Sequence, residues 1–227
     1  MQNNNTHDTS TLEAEVCHAV ERGQDVQERV RQLTLRIISA RSLDIESVRQ
    51  TTNAVLRGAR AGMLKELRHS SAQTHIARDH LKQAVSGLDV ALAQFAEAAK
   101  LTVEEAASKA QKYSSEDLKR ARADLANLDK MFLETLQSSA SAAKDTAGEI
   151  LHDLVAHTRT QGSAVGAQMR ETLPVFARHI GAAGHAQVGA GLHLAKNTAD
   201  LVRQIAAGVL TGLAERVQPG HSKDKAE

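Results

Sequence analysis

The sequence predicts an all-α protein on three observations: a helical periodicity through its middle, an alanine-rich and aromatic-poor composition, and only two prolines in 227 residues. Leu118, Ala121, Leu125, Leu128, Phe132, Leu136, Ala140, Ala143, Ala147, Leu151 and Leu154 place a small or apolar side chain about every 3.6 positions, the period of an α-helix. The chain has no Trp, one Tyr and three Phe. A sheet wants branched and aromatic side chains on its pleated surface, whereas alanine favours helices that approach closely. The expected architecture is an elongated antiparallel bundle of three long helices preceded by three short helices. Residues 1–9 are expected to be a disordered N-terminus, 10–68 a short-helix subdomain, 69–217 the long three-helix bundle and 218–227 a disordered tail.

The first helix is expected near Ser10, which stands three residues before Glu13 in a capping-box pattern. It presents Leu12, Val16 and Val20 and ends at Gly23. A second helix shows Val26, Val30, Leu33 and Ile37 on one face and stops around Arg41 and Ser42. A third, capped by Ser42 or Asp44, carries Ile45, Val48, Thr52, Leu56, Met63 and Leu67. The first long helix runs from Ser70 to about Tyr113 through Leu81, Val85, Leu88, Leu92, Phe95, Ala99, Val103, Ala106 and Ala110. The second is the run from Ser114 to Met169, read as the central strut against which the other two long helices pack. Its weak points are SSASAAKDTAG and TQGSAVG, where Ser and Gly lower helix propensity. Pro174 marks the next boundary, because proline is tolerated in a first helical turn and not deeper. The last helix carries Phe176, Ile180, Ala183, Ala190, Leu194, Leu201, Ile205, Val209 and Leu213, and Pro219 and Gly220 end it.

A formal net charge of +1 excludes any argument from overall charge to nucleic acid. Charge is nevertheless uneven along the chain. Residues 1–21 hold acids and no Lys or Arg, 22–68 hold twice as many bases as acids, and 89–153 lean acidic. No aromatic residues interleave with the Arg-rich part to stack on bases, so nucleic acid is not the expected partner. The single cysteine, Cys17, makes no internal disulfide, and MQNNNTHDTS lacks the pattern of a signal peptide. A cytoplasmic location and no transmembrane helix are expected.

Candidate chemistry is sparse. Glu15 with His18, Glu66 with His69, and Glu149 with His152 match Glu-x-x-His, which supplies di-metal ligands in helical bundles. Three matches are compatible with composition, and Glu149 and His152 fall opposite the apolar stripe, whereas ligands must point inward. His75 with His80 and His152 with His157 are five apart, which rotates each pair away from a shared zinc site. Cys17 reads as an ordinary buried thiol. The stretch from Gly181 to Gly191 resembles a phosphate-binding loop but lacks the Gly-Lys-Ser/Thr ending, so it reads as helix. Gly58 and Gly62, Gly162 and Gly166, and Gly208 and Gly212 are four apart, a spacing that lets backbones come close. No catalytic residue, cofactor or metal is assigned.

The segments VERGQDVQERVRQLTLRI, YSSEDLKRARADLANLDKMFLETL and AAGVLTGLAERV resemble a family of bacterial helical proteins of unknown function, over roughly residues 12 to 217. That resemblance implies no catalytic residue. The section from about Ser70 to Thr172 is also similar in composition to phasins, the helical proteins that coat bacterial polyhydroxyalkanoate granules. This second resemblance implies a coat for an apolar surface. The expected function is therefore a non-enzymatic, self-associating helical protein on a granule or lipid surface. The alternative is a cytoplasmic scaffold or adaptor that binds a protein partner through its Arg-rich N-terminal helices.

Overall fold

The computed structural model describes residues 2–40, 45–69, 74–108, 115–143 and 145–186. Among them every regular element is a helix: α1 (Gln2–Arg22), α2 (Val26–Ala40), α3 (Ile45–His69), α4 (Thr74–Ser108), α5 (Ser115–Ala126), α6 (Leu128–Ala142), α7 (Thr146–Gln161) and α8 (Ala164–Ala186). Helix α1 starts at Gln2, ahead of the Ser10 expected from the capping pattern. Asn, Thr and Asp cost a helix only tenths of a kcal/mol each, about 0.7 at most, so a nucleated helix can extend back through them. Gly23 ends α1 as expected. Its φ of +67° is open to glycine, and its N–H reaches the Ala19 and Val20 carbonyls at 3.2 and 3.1 Å. The caps expected at Ser42 or Asp44, and the last helix beyond Ala186, lie outside the described residues.

Helices α1–α4 pack as two parallel pairs. Helix α1 runs alongside α3 in the same direction, since Glu13 meets Arg57 and Glu21 meets Lys65. Helix α2 runs alongside α4, with Arg31 Nη1 donating to Gln94 Oε1 at 2.6 Å. Small residues sit at both seams. A methyl group on Gly58 would lie 2.4 Å from the Glu13 carbonyl oxygen, and one on Gly62 would lie 2.5 Å from that of Cys17. One on Gly87 would lie 2.3 Å from the Gln27 carbonyl oxygen. The four-residue spacing of Gly58 and Gly62 thus marks a buried close approach of backbones. Leu12, Val16, Val20, Val55, Met63, Leu81, Leu88 and Leu92 fill the space between the pairs. Full burial of each such side chain contributes about 1.5–3 kcal/mol. The apolar cluster continues without a gap from Leu12 to Phe176, past residue 69.

The run from Ser114 is not one helix. Among the described residues it is divided into α5, α6, α7 and the start of α8, so the expected single long helix over this run is corrected to four shorter segments, and α4 is the longest described helix. Local chemistry explains each break. Asn127 turns its side-chain amide onto the Ala123 carbonyl at 2.8 Å. Ala143 is extended and Asp145 caps the next helix. Gly162 ends α7 at φ +86°. Two of these breaks fall in SSASAAKDTAG and TQGSAVG. The apolar stripe survives: Leu128, Phe132, Leu136, Ala140, Ala147 and Leu151 are buried.

The central strut is α4, which touches α1, α2, α3, α7 and α8. Its alanines at 77, 84, 91, 96, 99 and 106 are buried and keep its surface slim enough for that many neighbours. Helix α8 runs parallel to α4 instead of reversing against it: Asp89 meets residues 164 and 165, and the Ala96 carbonyl accepts from Thr172 at 3.5 Å. Three intervening helices carry the chain back to make that direction available. Pro174 lies inside α8 and marks no boundary. The hydrogen bond it removes would have ended on the Arg170 carbonyl, and both residues are on the exposed side of the helix, where that oxygen is open to solvent and the loss is small.

Candidate functional site

A basic trough lies between the antiparallel helices α1 and α2. It encloses about 620 Å³ and is lined from α1 by Thr11, Ala14, Glu15, His18, Ala19 and Arg22, and from α2 by Arg29, Gln32, Leu33 and Arg36. The helical repeat builds it. Residues 15, 18, 19 and 22 of α1 share one flank, and 29, 32, 33 and 36 of α2 share the flank facing it. Leu33 packs against the core from one side and lines the trough from the other. Arg36 pairs with Glu15 at one end. At the other end the side chains of Arg22 and Arg29 have no ion-pair partner among the described residues. Three guanidinium groups against one carboxylate, over an apolar strip, make a surface complementary to an acidic amphipathic segment. A second hollow of about 500 Å³, between α6 and α7, mixes Asp129 and Glu134 with Lys130 and Arg159 and has no such bias.

Elsewhere, ionisable groups serve as joints. Asp89 on α4 accepts the Ala164 and Val165 N–H groups at 2.7 and 3.0 Å and so caps α8 from another helix. Burial raises its pKa above the ordinary carboxylate value; the two N–H bonds oppose the shift and the Asp129 charge adds to it. Ser163 donates to Asp129 and accepts the Gly166 N–H at 2.9 Å. Asp145 caps α7 by accepting the Gly148 N–H at 3.3 Å, and Arg60 Nη2 of α3 donates to it at 2.6 Å. Burial works against its ionisation, but the Arg60 hydrogen bond and charge, with backbone N–H bonds, hold its pKa below the ordinary value.

The residues singled out in the sequence do not converge. Glu15 and His18 both line the trough, with Glu15 engaged by Arg36. Glu66 pairs with His80 across the α3–α4 turn at 3.0 Å. Glu149, His152, His75 and His157 are exposed. Cys17 is buried. Gly162 and Gly166 are not a backbone contact: the first ends α7 at positive φ, and the second faces Ser163 and Asp129. Of Gly181 to Gly191, residues through 186 are helical; the others, with Gly208 and Gly212, lie outside the described residues. No group of three or more His, Cys, Asp or Glu able to hold a metal gathers among the described residues. The trough was legible only as an excess of bases over residues 22–68, because pairing the flanks of α1 and α2 needs the turn between them.

These features define an all-helical protein whose buried apolar faces leave a basic trough on its surface. Among the described residues no helix is long and apolar enough to cross a membrane. The chain belongs to the family of unknown function DUF6781, whose family model matches residues 2–219. No curated protein and no solved structure matches it.

Proposed function

We propose that the chain is a non-enzymatic, cytoplasmic helical scaffold that receives an acidic amphipathic helix in the trough between α1 and α2. The observation that supports this most is that Arg22 and Arg29, without an ion-pair partner among the described residues, stand beside Leu33 in an open groove. A helix laid there would add a third member to the α1–α2 layer, place its apolar edge on Leu33 and offer carboxylates to the rim. The apolar stripes of the described helices are already buried within the chain. Leu101, 54% exposed, is the exposed large hydrophobic residue among those described. A synthetic helix with Glu, Leu and Glu at positions i, i+4 and i+7 is expected to bind the protein in a fluorescence-anisotropy titration and to bind Arg29→Glu at least tenfold more weakly, roughly the effect of reversing a close charge pair. Equal binding by the two proteins, or none by either, would sink the proposal.

A second reading, the coat of a granule or lipid surface, draws support from the breaks at 127, 143–145 and 162–163. Helices α6 and α7 could swing on those breaks and expose Phe132, Leu136 and Leu151. It requires that core to open. Co-flotation with neutral lipid droplets that persists in about 1 M salt, where charge is screened, favours this reading; absence of flotation at any salt rejects it.

A further inference from the structure

We propose that the occupant of the trough is the outer face of α4 in a second copy of this chain. The inference rests on the scaffold reading and names its partner. Leu101, the exposed large hydrophobic residue among those described, has Glu97 four positions before it and Glu104 three positions after it. At about 100° per residue, all three lie on the solvent side of α4. That side falls between the flank that meets α2 through Gly87 and Gln94 and the flank that meets α8 through Asp89 and Ala96. In the trough, Leu33 has Arg29 four positions before it and Arg36 three positions after it. The two triplets therefore have identical spacing and opposite charge, and each spans about 10.5 Å at 1.5 Å per residue. A parallel alignment sets Arg29 against Glu97, Leu33 against Leu101 and Arg36 against Glu104.

Neighbouring charges are compatible with this pairing. Lys100, the base nearest the ridge, is engaged by Glu171 of α8. Glu15, the carboxylate of the trough, is engaged by Arg36, whose five N–H donors allow it to bridge Glu15 and Glu104 in the contact, while Arg29 is the open position, with His18 and Arg22 across from it. The ridge lies opposite the buried face of α4 formed by Leu88, Leu92, Ala99 and Val103, so it meets a trough only on another molecule. The contact joins two different surfaces, and repetition closes it into a ring or extends it as a filament.

The test is sedimentation of the full chain and its charge-reversed variants, with thermal melts confirming that each is folded. The wild type is expected to self-associate at about 0.02 M salt and to dissociate progressively toward about 1 M. Glu97→Arg with Glu104→Arg, and separately Arg29→Glu with Arg36→Glu, are each expected to weaken association by about tenfold or more. Mixing the two variants should restore it, since each then meets a surface of opposite sign. Leu101→Ser, which changes no charge, should weaken the wild-type contact by about fivefold. A wild type that stays monomeric at low salt, variants that associate as tightly as it does, or a mixture that fails to recover would each overturn the proposal. If the wild type is monomeric yet binds the synthetic acidic helix through Arg29, the second copy is excluded and the scaffold reading stands. If it does neither, both fall.

Discussion

Helices α1–α4 meet backbone to backbone at glycine, whereas α7 and α8 are joined to the rest, beyond the shared apolar core, by carboxylates at their N-termini. In the first group Gly58, Gly62 and Gly87 bring main chains so close that no side chain fits between them, and ion pairs such as Glu13–Arg57 line the rims. In the second group, α5–α8, the first three helices are short, and the N–H groups at two helix starts are satisfied by carboxylates: Asp145 at α7 and, from α4, Asp89 at α8. Close approach suits helices whose small residues recur along one face. Capping suits a segment whose sequence keeps interrupting itself, because each interruption leaves N–H groups to be paired.

Substitutions can break that contrast, in order of expected effect. Phe132→Ala removes a ring that is 1% exposed in the α5–α8 group and should lower unfolding free energy by about 3–5 kcal/mol in urea denaturation. A loss below about 1 kcal/mol would mean that the second group contributes little to cooperative stability. Gly58→Ala and Gly87→Ala should each cost about 1–3 kcal/mol by forcing helices apart. Gly162→Ala meets nothing within 4 Å, and any cost it shows must come from φ alone. Equal sensitivity of melting temperature at Gly58 and at an open, ordinary-φ glycine such as Gly181 would contradict the close-approach account.

Smaller effects sharpen it. Asp145→Ala should cost about 1 kcal/mol through loss of the cap. Because the folded pKa of Asp145 is depressed, its contribution is present above the ordinary carboxylate range and is lost as pH falls through the depressed value. The stability gap between wild type and Asp145→Ala should therefore close in acid. Asp89 has the opposite sign. Its raised folded pKa means that wild type should gain stability relative to Asp89→Asn as pH falls through that value toward the ordinary one, measured by urea melts across the carboxylate range. In the first group Thr52 Oγ1 is buried without a hydrogen-bond partner, so Thr52→Val should stabilise the fold by up to about 1 kcal/mol in the same assay. Arg29→Glu, on the open trough, should change stability by no more than about 0.5 kcal/mol.

Much of the local structure was readable from residues. Gly23 stops α1 because glycine takes its φ of +67° at no steric cost, and Val26 and Val30 begin the buried face of α2. The stripe through Phe132 and Leu136 is buried as its spacing implies. The continuity of that stripe concealed the break at Asn127, since a face can stay in phase across a single-residue interruption, whereas the breaks in SSASAAKDTAG and TQGSAVG fall at the expected weak points. Pro174 misled for a related reason: the rule against interior proline concerns a lost hydrogen bond, and on the exposed side of α8 that loss is small.

By itself the sequence determined the helical class, the face each described helix buries and the weak points where the chain turns. Those are properties of 3.6-residue periodicity and of single residues acting within a turn or two. Tertiary structure alone decided that α4 is the strut, that α1 and α3 run parallel at Gly58 and Gly62, that Asp89 caps a helix 75 positions away, and that Arg22 and Arg29 face one trough. Each of those depends on which faces meet after the chain has reversed. That choice is made by the summed burial of many side chains, and no local pattern records it.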